Sequence, residues 1–242
     1  MIDPRAAVIE KRVENVRRIV VFSSAKGGVG KSVCASVGAL VLADGGHRVG
    51  LLDLDFQGAS DHLILGGELH FPEESRGILP LDLGHGVKFM GFSVFSKDGP
   101  VSLRGGNITD AFLEILSVTV WGELDYLIVD MPPGMGEEIL DLIRFVGSAE
   151  FLLVATGSVV SVSVVERLVK FLKELNVNIL GLIENMARMG SSKLVRDLSK
   201  GYGIDLLGTI GFDDKLEGAM GDTRRLLSTD FAKEIGTILL SI

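Results

Sequence analysis

Five apolar positions open the chain: Ile2, Ala6, Ile9, Val13 and Val16 recur at spacings of four and three, with Arg5, Glu10, Lys11, Glu14 and Arg17 between them. That is the 3.6-residue period of a helix with one apolar face. Asp3 stands where it can cap such a helix, and Pro4 suits the first turn, where a missing N–H loses no intrahelical partner. Residues 1–17 are therefore predicted as an amphipathic helix, whose stripe either packs on the domain or docks a partner. Beyond it the pattern changes to short apolar runs alternating with helical periods. The runs 19–24, 48–53, 87–95, 126–130, 151–156, 178–183 and 206–210 read as strands, and 31–44, 108–118, 137–146, 160–175, 192–200 and 229–240 as helices. Strict alternation predicts right-handed crossovers and a mainly parallel, doubly wound sheet with helices on both faces, a three-layer α/β domain over 18–242. The connector 63–86, rich in Gly, Pro, Glu and Asp, is long for a passive link and is read as mobile or functional.

Composition sharpens this picture at four points. Hydrophobic residues make up 47% of 242 positions, which suits a sheet buried on both faces. No apolar run reaches the length of a membrane span, and the first residues lack a signal peptide's apolar core, so a cytoplasmic location is expected. The net charge of −8 sets the long-range field against nucleic acid and anionic lipid, and the tail from Ser228 is amphipathic but barely basic. Neither stable membrane association nor a nucleic-acid partner is expected. A single cysteine, Cys34, excludes an internal disulfide, and His47, His62, His70 and His85 have no metal-ligand spacing.

The candidate chemistry begins after the first strand. Ile19 to Ser24 feeds Ala25-Lys26-Gly27-Gly28-Val29-Gly30-Lys31-Ser32-Val33 and an Ala/Val/Leu-rich helix. Glycines let backbone N–H groups converge on phosphate oxygens, and the helix turns its positive end to the same point. Lys31 is placed to bridge terminal phosphates, and the Ser32 hydroxyl to ligate Mg²⁺. The phosphate-binding set is Gly27, Gly28, Val29, Gly30, Lys31, Ser32 and Val33. The loop departs from the common GxxxxGK[ST] pattern at Ala25 and carries a second lysine, Lys26. Asp53 and Asp55 end the second strand two residues apart, a period that sends both to one side. An apolar strand ending in Asp130 runs into Met131-Pro132-Pro133-Gly134, the pattern of an aspartate holding Mg²⁺ beside a stiffened turn.

These motifs resemble the deviant Walker A loop, switch segments and DxPPG turn of the MinD/ParA/Mrp family of ATPases. The resemblance runs from Ile19 to about Gly221. It implies a P-loop NTPase fold, ATP and ADP as ligands with Mg²⁺, slow hydrolysis, and a homodimer formed on ATP binding, with Lys26 reaching across to the partner's nucleotide. It further implies that Asp55 orients the attacking water and that Asp53 lies in or near the Mg²⁺ shell with Ser32 and Asp130. Asn185, in Ile183-Glu184-Asn185-Met186, matches the residue that contacts adenine, and Phe212 is a candidate to stack on the base. Most Mrp proteins place CxxC shortly after this segment and share an iron–sulfur cluster between subunits. Here Ala187-Arg188-Met189-Gly190-Ser191-Ser192 contains no cysteine. The wording from Leu51 to His62, the first five residues and Leu103-Arg104-Gly105 is similar to the archaeal cysteine-less Mrp-type ATPases that serve as HypB in [NiFe]-hydrogenase maturation. That likeness implies nickel insertion with HypA, a metallochaperone partner. The alternatives are a MinD/ParA-type spatial organiser and an iron–sulfur carrier.

Overall fold

The computed structural model describes residues 3–56, 58–95 and 106–242, with side chains from 108 onward in the last stretch. Leu103-Arg104-Gly105, Gln57 and Ile2 lie outside the described residues.

Helix α1 spans Arg5–Val13, shorter than the predicted 1–17, because Val16 and Arg17 already belong to strand β1 (Val16–Ser23). Asp3 Oδ1 accepts from Arg5 N at 2.9 Å, and Ile9 is fully buried. The remaining elements alternate as the apolar runs require. They are α2 (Lys31–Asp44), β2 (Val49–Asp53), α3 (Asp61–Leu65), β3 (Leu81–Asp82), β4 (Val87–Gly91), α4 (Gly106–Val118), β5 (Leu124–Asp130) and α5 (Glu137–Phe145). There follow β6 (Ala149–Thr156), α6 (Val159–Glu174), β7 (Asn178–Ala187), α7 (Lys193–Tyr202), β8 (Leu206–Gly211), α8 (Leu216–Ala219), α9 (Thr223–Leu227) and α10 (Asp230–Leu239).

One sheet has the order β3-β4-β2-β5-β1-β6-β7-β8, parallel except for β3, which pairs antiparallel with β4. Because β1 lies inside the sheet, its last five residues are buried on both faces, which explains the unbroken apolar run. Two expectations change here. The predicted strand 87–95 stops at Gly91, and Phe92–Val94 form a 3-10 turn with Phe92 edge-on to Phe56. Nor is the connector loose: Leu79 N donates to Glu73 O and Ile78 N to Val118 O, so its backbone is tied to itself and to α4. The tail helix α10 buries Phe231, Ile235 and Leu239, and its Gly236 and α2's Gly38 let the two helices approach so closely that a Cβ at either would meet a side chain at 2.7 Å.

Candidate functional site

Strand order dictates the centre of the site. β1 and β2 flank β5, and the register sets Asp53 directly beside Asp130 at the carboxyl ends, with Phe22 opposite Asp130 on the other side. Ligands of parallel sheets bind at such carboxyl ends. The loop that leaves β1 closes over this point through two left-handed glycines, Gly28 at φ 76° and Gly30 at φ 82°. Gly30 is also hemmed in, since a Cβ there would strike the Asn185 amide. An alanine at Gly30 would meet both strain and a clash.

Beneath the loop, Lys31 Nζ contacts Asp130 Oδ1 at 2.5 Å, and the Ser32 hydroxyl donates to Asp130 Oδ2 at 2.7 Å. Both members of the ion pair are buried, Lys31 at 5% and Asp130 at 1% exposure. Burial, outweighing the help of Lys31, holds the Asp130 carboxyl above the ordinary carboxylate range. Burial, with the Asp130 charge second, pushes the Asp53 carboxyl up to about 7. Above them the loop from Gly27 to Val33, Asp55 and Pro133 line a cavity of about 330 Å³.

Asp55 reaches this cavity differently from the prediction. β2 ends at Asp53, so Asp55 lies past the strand and the period-two argument does not place it. Its own N–H donates to Asp53 Oδ1 at 3.0 Å and its Oδ1 accepts from Gly58 N at 2.9 Å, and this turn aims the carboxylate back at the loop. Lys26 is half-buried on the loop, outside the residues that line the phosphate cavity of its own chain.

Asn185 is buried, and its Nδ2 donates to Val29 O at 2.9 Å, tying β7 to the loop. The next residue, Met186, has φ 58°, a left-handed conformation uncommon for a long side chain and typical of places where surrounding structure overrides local preference. A second cavity of about 160 Å³ adjoins Gly30, Val33, Asn185 and Phe212. Phe212 is 54% exposed, with the Arg188 guanidinium 5.6 Å over its ring.

Two neighbours escaped the sequence reading. Asp61, fully buried, accepts from Ser36 Oγ at 2.8 Å and joins Asp53 and Asp130 in one carboxylate cluster. Its only signal was a carboxylate closely following two others. Arg188 stood where a cysteine motif was sought, and nothing in its neighbours marked it. Cys34 is fully buried as expected, and burial raises its thiol far above the ordinary range.

A cation fits this donor set. Ser32 Oγ and three carboxylates are hard oxygen ligands, and Asp53 Oδ2 and Asp61 Oδ2 are buried without a hydrogen-bond partner.

Comparison with known proteins bears on the whole chain. The family described as ParA, NUBPL iron-transfer P-loop NTPase, matches residues 15–242. The iron-sulfur cluster carrier protein of Aquifex aeolicus is 33% identical over 248 residues, spanning 96% of this chain and 68% of that protein. A solved nucleotide-binding protein from Archaeoglobus fulgidus, in complex with ADP, is 26% identical with a TM-score of 0.78, covering 95% of this chain and 96% of that one. The septum site-determining protein MinD of Pyrococcus horikoshii, complexed with Mg-ADP, shares the fold at a TM-score of 0.68 and 19% identity over 91% and 93% of the two chains. The MinD/ParA/Mrp resemblance is thereby borne out; the finer likeness to HypB gains no support.

Proposed function

Because this chain belongs to the ParA family of P-loop NTPases, we propose that it is a Mg²⁺-dependent ATPase working as a nucleotide-gated dimeric switch in metal-centre assembly, with iron–sulfur centres as the class served. The observation that carries the ATPase reading is the pair Lys31 and Ser32, both bonded to Asp130 under a cavity walled by the loop. Lys31 places a buried cation against that carboxylate. Terminal phosphates offer it a second anionic partner.

Loop N–H groups from Gly27 to Val33 cradle the phosphates at the positive end of α2. Mg²⁺, when bound, neutralises phosphate charge, and Ser32, Asp53 and Asp130 would hold it. Asp55, fixed by the Gly58 N–H, orients the attacking water, and Lys26 of the partner copy meets the charge that develops on the transferring phosphoryl group. Asn185 has Nδ2 committed to Val29, which leaves its amide oxygen as the acceptor for an adenine amino group, and Phe212 supplies a stacking face.

The relatives' name favours iron–sulfur chemistry over nickel, whose support is sequence wording alone. Cys34 is buried with a raised thiol and cannot serve as an exposed ligand, so the cluster's thiolates belong to a partner and this chain times that partner. A HypA-like nickel carrier is the second form of the same idea. Among the described residues no helix is long and apolar enough to cross a membrane. We place the protein in the cytoplasm, without nucleic acid as a partner.

The test uses Asp55→Asn, which keeps the acceptor for Gly58 N–H. It should bind Mg-ATP as the native chain does and hydrolyse it at least about 100-fold more slowly, a general-base magnitude. Native-rate turnover removes Asp55 from the chemistry. This ATP-locked variant, used as bait in anaerobic cytoplasm, should retain an iron–sulfur protein. Retention of a HypA-like nickel carrier would transfer the proposal to nickel, and ATP-dependent co-sedimentation with vesicles or DNA would replace both with spatial organisation.

A further inference from the structure

Three carboxylates converge below the loop, one more than a phosphate-bound Mg²⁺ ordinarily uses. Mg²⁺ at such sites is held by one or two carboxylates and depends on substrate phosphates for much of its shell. One oxygen each from Asp53, Asp61 and Asp130 lies within 4.8 Å of the others, and all three residues are at most 1% exposed. The Asp130 oxygens are both engaged, by Lys31 and Ser32. Asp53 and Asp61 each spend Oδ1 on a hydrogen bond, to Asp55 N–H and to the Ser36 hydroxyl, and leave Oδ2 without a partner. A buried carboxylate oxygen left unpaired is costly, and one lysine cannot balance three ionised carboxylates.

Ser36 makes a plain structural reason for Asp61 insufficient. A hydroxyl there is satisfied equally well by a neutral amide, so the hydrogen bond does not require a charge. What that hydrogen bond leaves unexplained is the second oxygen, buried beside two other carboxylates with no partner.

Resting on the ATPase reading of this site, we propose that Asp61 is a third carboxylate of the cation site, and that with it the site takes a divalent cation before nucleotide arrives. Hard oxygen donors and no nitrogen or sulfur ligand put the ligand in the class of hard divalent cations, for which Mn²⁺ serves as the probe. The cation is then preloaded, and nucleotide meets a charged site in place of bringing the metal with it. A carboxylate set of this size also gives the metal an affinity that does not vanish when product phosphate departs.

The experiment titrates Mn²⁺ into the full, nucleotide-free chain after EDTA treatment and gel filtration, reading free Mn²⁺ by electron paramagnetic resonance. The native chain should bind one Mn²⁺ per chain and gain thermal stability from it. Asp61→Asn, which keeps an acceptor for Ser36, should bind Mn²⁺ at least tenfold more weakly and lose most of the Mn²⁺-induced rise in Tm. In EDTA it should melt no lower than the native chain, whereas a purely structural Asp61 would make it melt lower. Equal Mn²⁺ affinity in the two proteins would overturn the role of Asp61. Mg-ATP binding by the native chain is measured alongside. If Mg-ATP binds and Mn²⁺ alone does not, preloading is wrong and the ATPase reading stands; if neither binds, both fall. If Asp61→Asn fails to fold, the native titration still decides preloading, and Asp61→Ser takes its place in the affinity comparison.

Discussion

Lys31 is bonded to Asp130 and is proposed to meet a phosphate of the nucleotide, so its removal should separate stability from binding. Lys31→Met leaves Asp130 in the core with only the Ser32 hydroxyl, a loss of about 3–5 kcal/mol for a broken buried pair. Adding Asp130→Asn should recover most of the melting temperature without restoring ATP binding, since the cation for the phosphates is still missing. Calorimetry and nucleotide titration of the single and double variants check this; recovery of binding in the double variant would remove Lys31 from the phosphate site. The acidic cluster gives a second residue-scale expectation. Burial raises the folded carboxyl of Asp53 to about 7, above its unfolded value, and raises that of Asp61 in the same direction. Between the ordinary carboxylate range and about 7, the folded state therefore binds more protons than the unfolded state. Stability from this source is fully present at low pH and is lost as pH rises through the folded values, by about 1.4 kcal/mol per pH unit for each proton held. Metal-free protein should accordingly show a component of Tm that falls from pH 4 toward pH 7, and Asp53→Asn should flatten it. A Tm profile in EDTA identical for the two proteins would show that Asp53 does not titrate there.

At the scale of elements, helix α1 is held by more than its stripe. Ile9 is fully buried, Arg12 Nε donates to Ser117 O at 2.8 Å, and Arg12 Nη2 donates to Arg76 O at 2.8 Å, so the helix bridges α4 and the connector. Ile9→Ala should cost about 2–5 kcal/mol, a core truncation, seen as a lower denaturant midpoint. A change under 0.5 kcal/mol would mean that the helix is loosely seated. Elements of this kind were legible where period and punctuation agreed. The apolar stripe marked α1, the glycine-rich loop after Ser24 marked the β1–α2 junction, and the apolar run ending in Asp130 marked β5. What was not legible depended on partners distant in sequence. Asp61 meets Ser36, 25 positions earlier, only after α3 folds onto α2. The two residues of β3 are a strand because β4 lies beside them, not because of any pattern of their own. β7 continues to Ala187 through a methionine at φ 58°, a conformation that no rule for methionine suggests, at a break in the register between β7 and β8. Asp55 lies beside the loop through a turn, not through the strand period that predicts it there.

At the scale of the whole molecule, the carboxyl edge of the sheet is where exposed apolar side chains gather. Met135 follows β5, Val159 and Val160 follow β6, Met189 follows β7 and Phe212 follows β8, and all of them lie 41% or more exposed. Parallel strands put these segments on the same edge as the phosphate loop. Apolar surface on that edge is costly in a lone chain and is removed from water when two copies meet there. Lys26, half-buried and outside the loop cavity of its own chain, is the side chain proposed to reach a second nucleotide. Saturating ATP with Asp55→Asn, which stops turnover, should therefore convert monomer to dimer in sedimentation velocity, and high salt should leave most of that dimer intact because apolar burial is insensitive to screening. Val160→Asp in the same background should abolish the dimer while each chain still binds ATP, because α6 does not touch the phosphate cavity. Lys26→Ala should weaken the dimer without altering nucleotide binding by the monomer, and should slow hydrolysis of the otherwise native chain only at concentrations where dimer forms. A dimer that persists equally with and without ATP would remove nucleotide gating, and an ATP dimer indifferent to both substitutions would place the contact on another face.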